Sequence, residues 1–338
     1  MFVEIFFSIL SFILAFFVSL GLTKWWIKIS RGHKEMLQPD MNKYKSKPTI
    51  SKAGGIAVTI AIVLSILVYI FFKTFILHSP THEIETLSIV VTLLLACFVG
   101  FIDDIFGWGK SSISGYKKIL MTIPIAIPLM VINAGQSIMA FPFLGAIDFG
   151  IVYPLIIVPL AIIGTTNGFN LLAGFNGMEA GLGVVSFAGL GILAYMTGQM
   201  WLVLIAGVIV SALLGFLVFN KNPAKIFPGN TLTYIIGGLF GSLAIIGNME
   251  KAALIIFIPF ILEGFLKLRS RFKAWNFGIP SKDNSLESRY KKNYSLTHIA
   301  LRILKKIKPS HKVYENDITY FIISFEIVLA IIAIIVSI

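Results

Sequence analysis

Residues 170–219 read NLLAGFNGMEAGLGVVSFAGLGILAYMTGQMWLVLIAGVIVSALLGFLVF, and the stretch divides into unlike parts. From 180 to 197 and from 201 to 219 run two apolar segments parted only by the turn TGQ. Each is as long as the roughly 17–25 residues that a helix needs to cross a bilayer, so they read as a pair of transmembrane helices. The twelve residues before them carry two Asn, three Gly and a Glu. A connecting turn needs only one or two such residues, and the surplus at a membrane boundary marks a place where something polar is held.

The apolar pattern continues in both directions. Further spans read at 3–23, 54–72, 86–102, 118–133, 150–168, 231–248, 252–268 and 318–337, which with the first pair makes ten. The expected fold is therefore an all-α polytopic membrane protein of about ten transmembrane helices, with its active site formed by the cytoplasmic loops. Composition agrees: 57% of residues are hydrophobic and 13% charged, about half the charged share of a soluble domain. The whole chain, 1–338, reads as one integral membrane domain, its last loop at 269–312 carrying an amphipathic helix. The first span runs into LTKWWIK rather than a small-residue cleavage site, so it reads as a permanent helix and not a signal peptide. A single cysteine, Cys97 inside an apolar run, excludes an intrachain disulfide and reads as a small core residue. The segment 135–150 (GQSIMAFPFLGAIDFG) reads as a short hairpin.

Charge sets the expected orientation. Every Lys and Arg except Lys73 and Lys251 falls in the loops 24–52, 110–118, 221–225 and 267–312. By the positive-inside rule those loops, and the one at 169–179 that shares their side, face the cytoplasm and both termini face outward. The formal charge of +12 is then topology and attraction to anionic headgroups rather than a sign of nucleic-acid binding.

Four polar stretches emerge on that same face: FVGFIDDIFGWGK (98–110) with YKK (116–118), TTNGFNLLAGFNGMEAG (165–181), FNKNPAKIFPGN (219–230) and RSRFKAWNFGIPSKDNSLESRY (269–290). Asp103 and Asp104 are adjacent acids ending an apolar helix. Neighbouring carboxylates repel unless a cation sits beside them, and Mg²⁺ is the usual one where phosphate oxygens complete its shell. Lys117 and Lys118 follow, and lysine suits phosphate. Acids for a metal and a base for phosphate make up the equipment of phosphoryl transfer. Asn170 and Asn176 offer a neutral metal ligand and a donor–acceptor pair for a base edge, while Gly174 and Gly177 allow close backbone approach. Glu263, in the ninth span, reads as pairing with a neighbouring helix. His298, in YSLTHIALRILKK, reads as structural.

These residues carry a resemblance. The DD pair, TNxxNLLAGxNGxEAG and NxxPAxxFxG are similar, in content and order, to motifs of the polyprenyl-phosphate N-acetylhexosamine-1-phosphate transferases, from AGGIAV (53–58) to the last helix. NLLAGFNGMEAG and RSR (269–271) resemble the eukaryotic and archaeal branch, whose enzymes make dolichyl-diphosphate-GlcNAc, more than the bacterial branches with their His-rich last loop. The resemblance implies transfer of N-acetylhexosamine-1-phosphate, GlcNAc-1-phosphate first, from a UDP-sugar to a polyprenyl (dolichyl) phosphate, as in the first step of lipid-linked oligosaccharide synthesis. It implies Mg²⁺, or Mn²⁺ in its place, and a plasma or endoplasmic-reticulum membrane with a cytoplasmic site. It assigns Asp103, Asp104 and Lys118 to catalysis, with Asp104, Asn170 and Asn230 at the metal. It places Asn167, Gly174, Asn176, Glu179, Asn220, Arg269, Arg271 and Glu287 at the substrates, with Asn176 on uracil and the loop through Glu287 over the N-acetyl group. Oligomeric state stays open, a homodimer included.

One position departs from that pattern. Where the family shows FxGD, with a metal-binding Asp, this chain has FPGN and Asn230. An amide oxygen still ligates but brings no charge, so Mg²⁺ should bind more weakly. Natural divergence, an inactivating Asp-to-Asn change and an inactive homologue remain open, as do a bacterial-type undecaprenyl-phosphate transferase and a translocator of lipid-linked sugars.

Overall fold

The structure, a computed structural model, describes residues 2–44, 47–79, 81–106, 115–141 and 145–337. Thirteen α-helices are described: α1 (Phe2–Ser30), α2 (Gly55–Phe75), α3 (Glu83–Phe106), α4 (Gly115–Thr122), α5 (Ile127–Val131), α6 (Val158–Leu171), α7 (Met178–Met196), α8 (Met200–Asn220), α9 (Gly229–Ile246), α10 (Glu250–Ile256), α11 (Ile258–Leu268), α12 (Leu296–Ile307) and α13 (Glu315–Ser337). Among the described residues strand is confined to three pairs of two to four residues a side: β1 (Leu37–Pro39) with β2 (Thr49–Ser51), β3 (Ile138–Phe141) with β4 (Gly145–Asp148), and β5 (Ile279–Pro280) with β6 (Leu286–Glu287). The expected all-α membrane fold is thus the one found. The β3–β4 pair is the hairpin read at 135–150, its tip at 142–144 lying outside the described residues, as does the Lys110 end of the loop after α3.

Among the described residues eight helices are long and apolar enough to cross a membrane: α1, α2, α3, α6 with the π-turn before it, α7, α8, α9 and α13. The spans expected at 118–133 and 252–268 are not continuous helices. The first is α4, a 3₁₀ turn and α5, interrupted at Pro124 and Pro128, which have no N–H for the helical ladder. The second breaks at Phe257, just ahead of Pro259. Both broken segments still return the chain along the bundle. The C-terminal ends of α3 and α6 meet at one end of it, and α9 and α13 both start there.

Helix α9 is the axis of the bundle, with every residue from Thr231 to Ile245 buried. Small residues let its neighbours reach it, as is usual where apolar helices pack without water to drive them together. A Cβ on Gly55 of α2 would lie 2.5 Å from the Leu232 nitrogen, one on Gly100 of α3 would lie 2.6 Å from the Thr231 Cα, and one on Gly237 would lie 2.5 Å from the Thr166 Cα of α6. These contacts bring the ends of three helices to the start of α9. Away from them, Glu326 of α13 is wholly buried and accepts a short hydrogen bond from Ser186 of α7, tying the outer pair together. Cys97 is free and half-buried against the core.

The last loop folds back beneath the bundle. Ser295 caps α12 by accepting from the Thr297 N–H, and Glu263 accepts from Ser295 Oγ and the Leu296 N–H. Glu263 therefore pairs with a neighbouring helix, as read, through the start of α12, with Lys267 3.8 Å away. His298 is buried with Nδ1 accepting from the Tyr294 N–H. Burial first, and then the nearby Lys267 charge, push its imidazole down to about 4, so it is neutral at physiological pH.

Candidate active site

Two acids at the C-terminal end of an α-helix oppose its dipole, and Asp103 and Asp104 close α3 in that way. Their neighbours supply the compensation, differently for each. Asp104 is buried against the N-terminus of α9, whose own cap residue, Pro228, offers no side-chain bond. Its Oδ1 accepts from the Asn230 N–H at 2.8 Å, and its Oδ2 accepts from the Thr231 N–H at 3.0 Å and the Thr231 hydroxyl at 2.5 Å. It is thus a helix cap supplied by another helix, meeting the orphan donors at the positive end of the dipole. Gly229 has φ +71° and Asp104 fills the space where its Cβ would stand, so only glycine fits there.

Asp103 faces the other way. Its Oδ2 accepts from the Tyr234 hydroxyl at 2.9 Å and pairs with Lys118 Nζ at 2.8 Å, while its buried Oδ1 has no partner among the described residues. Lys118 sits on α4, the first part of the broken return segment. Asn170, in the last turn of α6, donates to Asn230 Oδ1 at 2.6 Å and Thr233 Oγ1 at 3.0 Å. These groups surround a cavity of about 290 Å³, at the small end of ligand sites.

Of the residues assigned from the sequence, Asp103, Asp104, Lys118, Asn170, Gly174, Glu179 and Asn230 line this one cavity. Glu179, buried at the start of α7, accepts from the Gly174 N–H at 2.6 Å and so folds the glycine loop back on its own helix. Gly174 and Gly177 have φ +113° and +78°, which permits that reversal.

Six others do not line it. Asn176 is buried and turned into a scaffold knot: its N–H donates to Glu315 Oε1 at 2.8 Å, and its side chain donates to Asp40 at 3.2 Å and Glu315 Oε2 at 3.3 Å. Asn220 is buried and holds the Ile226 carbonyl at 2.9 Å. Asn167 joins α6 to α4 through Thr122 Oγ1 at 3.0 Å. Arg269 and Arg271 are exposed at the end of α11, away from the cavity wall. Glu287 is exposed and paired with Lys305 of α12. The last loop instead reaches the site through Asn276, whose amide donates to the Leu171 and Ala173 carbonyls at 2.8 and 2.7 Å, and through Phe277, which lines the cavity against Gly174.

Other cavity residues lie outside the sequence assignments, Asp40, Lys52, Phe227 and Thr233 among them. Lys52, between β2 and α2, donates to the Asp104 main-chain carbonyl. Burial pushes its ammonium below the usual lysine value, and the Asp104 and Asp103 charges pull it partly back. Its signal in the sequence was its place directly before AGGIAV, the start of the matching region; the basic character of loop 24–52 concealed it.

The donor set suits a hard divalent cation in kind. The free Oδ1 of Asp103, the Asn170 amide oxygen and Asn230 are all oxygen donors. Charge is scarce, however, because Asp104 is spent on α9. No group of three or more His, Cys, Asp and Glu residues that could hold a metal occurs among the described residues.

The sequence profile of glycosyl transferase family 4 matches residues 86–248, the stretch that contributes both aspartates, the glycine loop and the start of α9. A protein of Sulfolobus acidocaldarius, provisionally named a UDP-N-acetylglucosamine–dolichyl-phosphate N-acetylglucosaminephosphotransferase, is 35% identical over 97% of this chain and 95% of its own. One of the same provisional name from Saccharolobus solfataricus is 36% identical over 87% of this chain and 88% of its own. A phospho-N-acetylmuramoyl-pentapeptide-transferase of Halalkalibacterium halodurans is 30% identical over 75% of this chain and 79% of its own. With near-complete coverage on both sides and a cavity built largely from the matched segment, the chain belongs to glycosyl transferase family 4.

Proposed function

We propose that the protein transfers GlcNAc-1-phosphate from UDP-GlcNAc to a dolichyl-type polyprenyl phosphate. The observation that carries this reading is the convergence of Asp103, Lys118, Asn170 and Asn230 on one cavity at the end of an apolar bundle. That is where a membrane-held phosphate and a water-soluble nucleotide sugar can meet. The names of the two archaeal relatives supply the substrates. The basic loops, by the positive-inside rule, support a cytoplasmic position for this end of the bundle.

A lipid-phosphate oxygen attacks the β-phosphorus of the UDP-sugar, the bond from that phosphorus to the bridging oxygen breaks, and UMP leaves with the bridging oxygen. The nucleophile is already largely ionised near neutral pH, so no proton needs to be removed, and Asp103, itself an anion, acts on it through the cation it holds. Lys118, held by Asp103, meets the negative charge of the diphosphate. Asp104 fixes the start of α9 and with it Asn230. Phe175, Phe227 and Phe277 give the cavity an apolar wall for the base. A divalent cation would be held by Asp103, Asn170 and Asn230, and when bound it would neutralise phosphate charge.

The test is a transfer assay in detergent with UDP-GlcNAc and dolichyl phosphate, on this chain and on Asn230→Asp. Metal-dependent UMP release, higher in the Asp form, is the expected result. No UMP release by either folded protein, with any polyprenyl phosphate or UDP-N-acetylhexosamine, would overturn the reading.

A further inference from the structure

Lys52 is 4% exposed, yet its Nζ has one protein acceptor, the main-chain carbonyl of Asp104, and no carboxylate within ion-pair distance among the described residues. An ammonium carries three N–H donors, so two remain without a protein partner in a group that burial should have made satisfied. Lys118, on the same cavity, differs: it is locked to Asp103 at 2.8 Å. The main chain at Lys52 is fixed on both sides, its N–H donating to the Met36 carbonyl at 2.9 Å and its carbonyl accepting from Trp26 Nε1 at 2.9 Å. A rigid backbone thus presents a buried cation with spare donors to the cavity that Asp103 and Asp104 line.

We propose that Lys52 is a phosphate-binding residue of this site, standing beside Asp104 as Lys118 stands beside Asp103. The proposal rests on the transferase reading for the kind of anion, a phosphate ester or diphosphate. Asn230 strengthens it: where a site has one carboxylate fewer for a metal, a lysine with free N–H groups takes up part of the charge on the phosphates directly.

The experiment is reductive methylation of the full-length protein in detergent with formaldehyde and borane. Modification at Lys52 is read by mass spectrometry with UMP, farnesyl phosphate or inorganic pyrophosphate present. At least a tenfold slowing at Lys52 is expected with one of them. Protection by UMP assigns the residue to the nucleotide, and protection by farnesyl phosphate assigns it to the acceptor. Protection by pyrophosphate in a chain that releases no UMP would keep Lys52 as a phosphate ligand while the transferase reading falls. Unchanged labelling with all three would overturn the proposal, and active transfer in the same preparation would show that the transferase reading survives it. In parallel, Lys52→Gln should weaken binding of the protecting ligand at least tenfold in calorimetry, with Lys52→Arg restoring part of it. Wild-type affinity in Lys52→Gln would count equally against it.

Discussion

The two ends of the bundle handle polar groups in opposite ways. At the end away from the cavity, polar side chains pair with one another: Tyr153 donates to Glu250 at 2.7 Å, Lys73 donates to Thr81, and Ser137 donates to Asp148 at 2.7 Å. At the cavity end, groups from six separated parts of the chain meet, and several buried ones keep an atom free, among them Asp103 Oδ1 and Glu179 Oε2. A buried polar atom left unpaired costs stability, and a protein carries that cost where a ligand will complete the set. The far end is built to hold shape and the near end to hold something else.

The sharpest way to break that contrast is Asp103→Asn, which keeps the shape and removes the charge. Turnover should fall about 10³-fold with little change in thermal unfolding, and a variant within tenfold of wild type would leave the cavity end no more functional than the other. Asp104→Asn tests the neighbouring acid, whose work is structural. An amide placed against three N–H and O–H donors should cost about 1–3 kcal/mol, seen as a lower melting temperature alongside about 10²-fold slower transfer. Loss of turnover at an unchanged melting temperature would return Asp104 to direct chemistry. Asn230→Asp should tighten the apparent affinity for Mg²⁺ about tenfold in a metal titration of UMP release, since it adds a charged ligand.

A smaller effect belongs to the last loop. His298 binds its proton only near pH 4 when folded but near 6.5 when unfolded. The unfolded chain therefore holds more protons between those values, and stability drops as pH falls through that window. His298→Leu should flatten this decline in melting temperature measured from pH 7 to 4.5. Smallest of all, Glu250→Gln at the far end should alter turnover less than twofold, and a larger change would mean that the two ends are coupled.

Much of this was legible in the sequence, for identifiable reasons. Span length and the paired acids after the third helix follow from hydrocarbon thickness and the cost of charge near it. The broken helices were not, because Pro124, Pro128 and Pro259 lie inside runs whose average apolarity hides them. Nor did residue type separate Asn170, which lines the cavity, from Asn176 and Asn220, which bind main chain and carboxylates behind it. An amide serves either purpose, and only packing decides. The basic last loop looked the richest in ligands, yet its contribution comes from the neutral Asn276 and Phe277, whereas Arg269, Arg271 and Glu287 stay at the surface.

Glu315, the first residue of α13, holds Asn42, Lys43 and Asn176 at once. A ribosome delivers that carboxylate only after nearly all the rest of the polypeptide has been made. The nascent chain must therefore insert its final helix before the loops around Asn42 and Asn176 can settle, and a product stopped short of residue 315 would sit in the bilayer with Asp103 and Asp104 present and that knot untied.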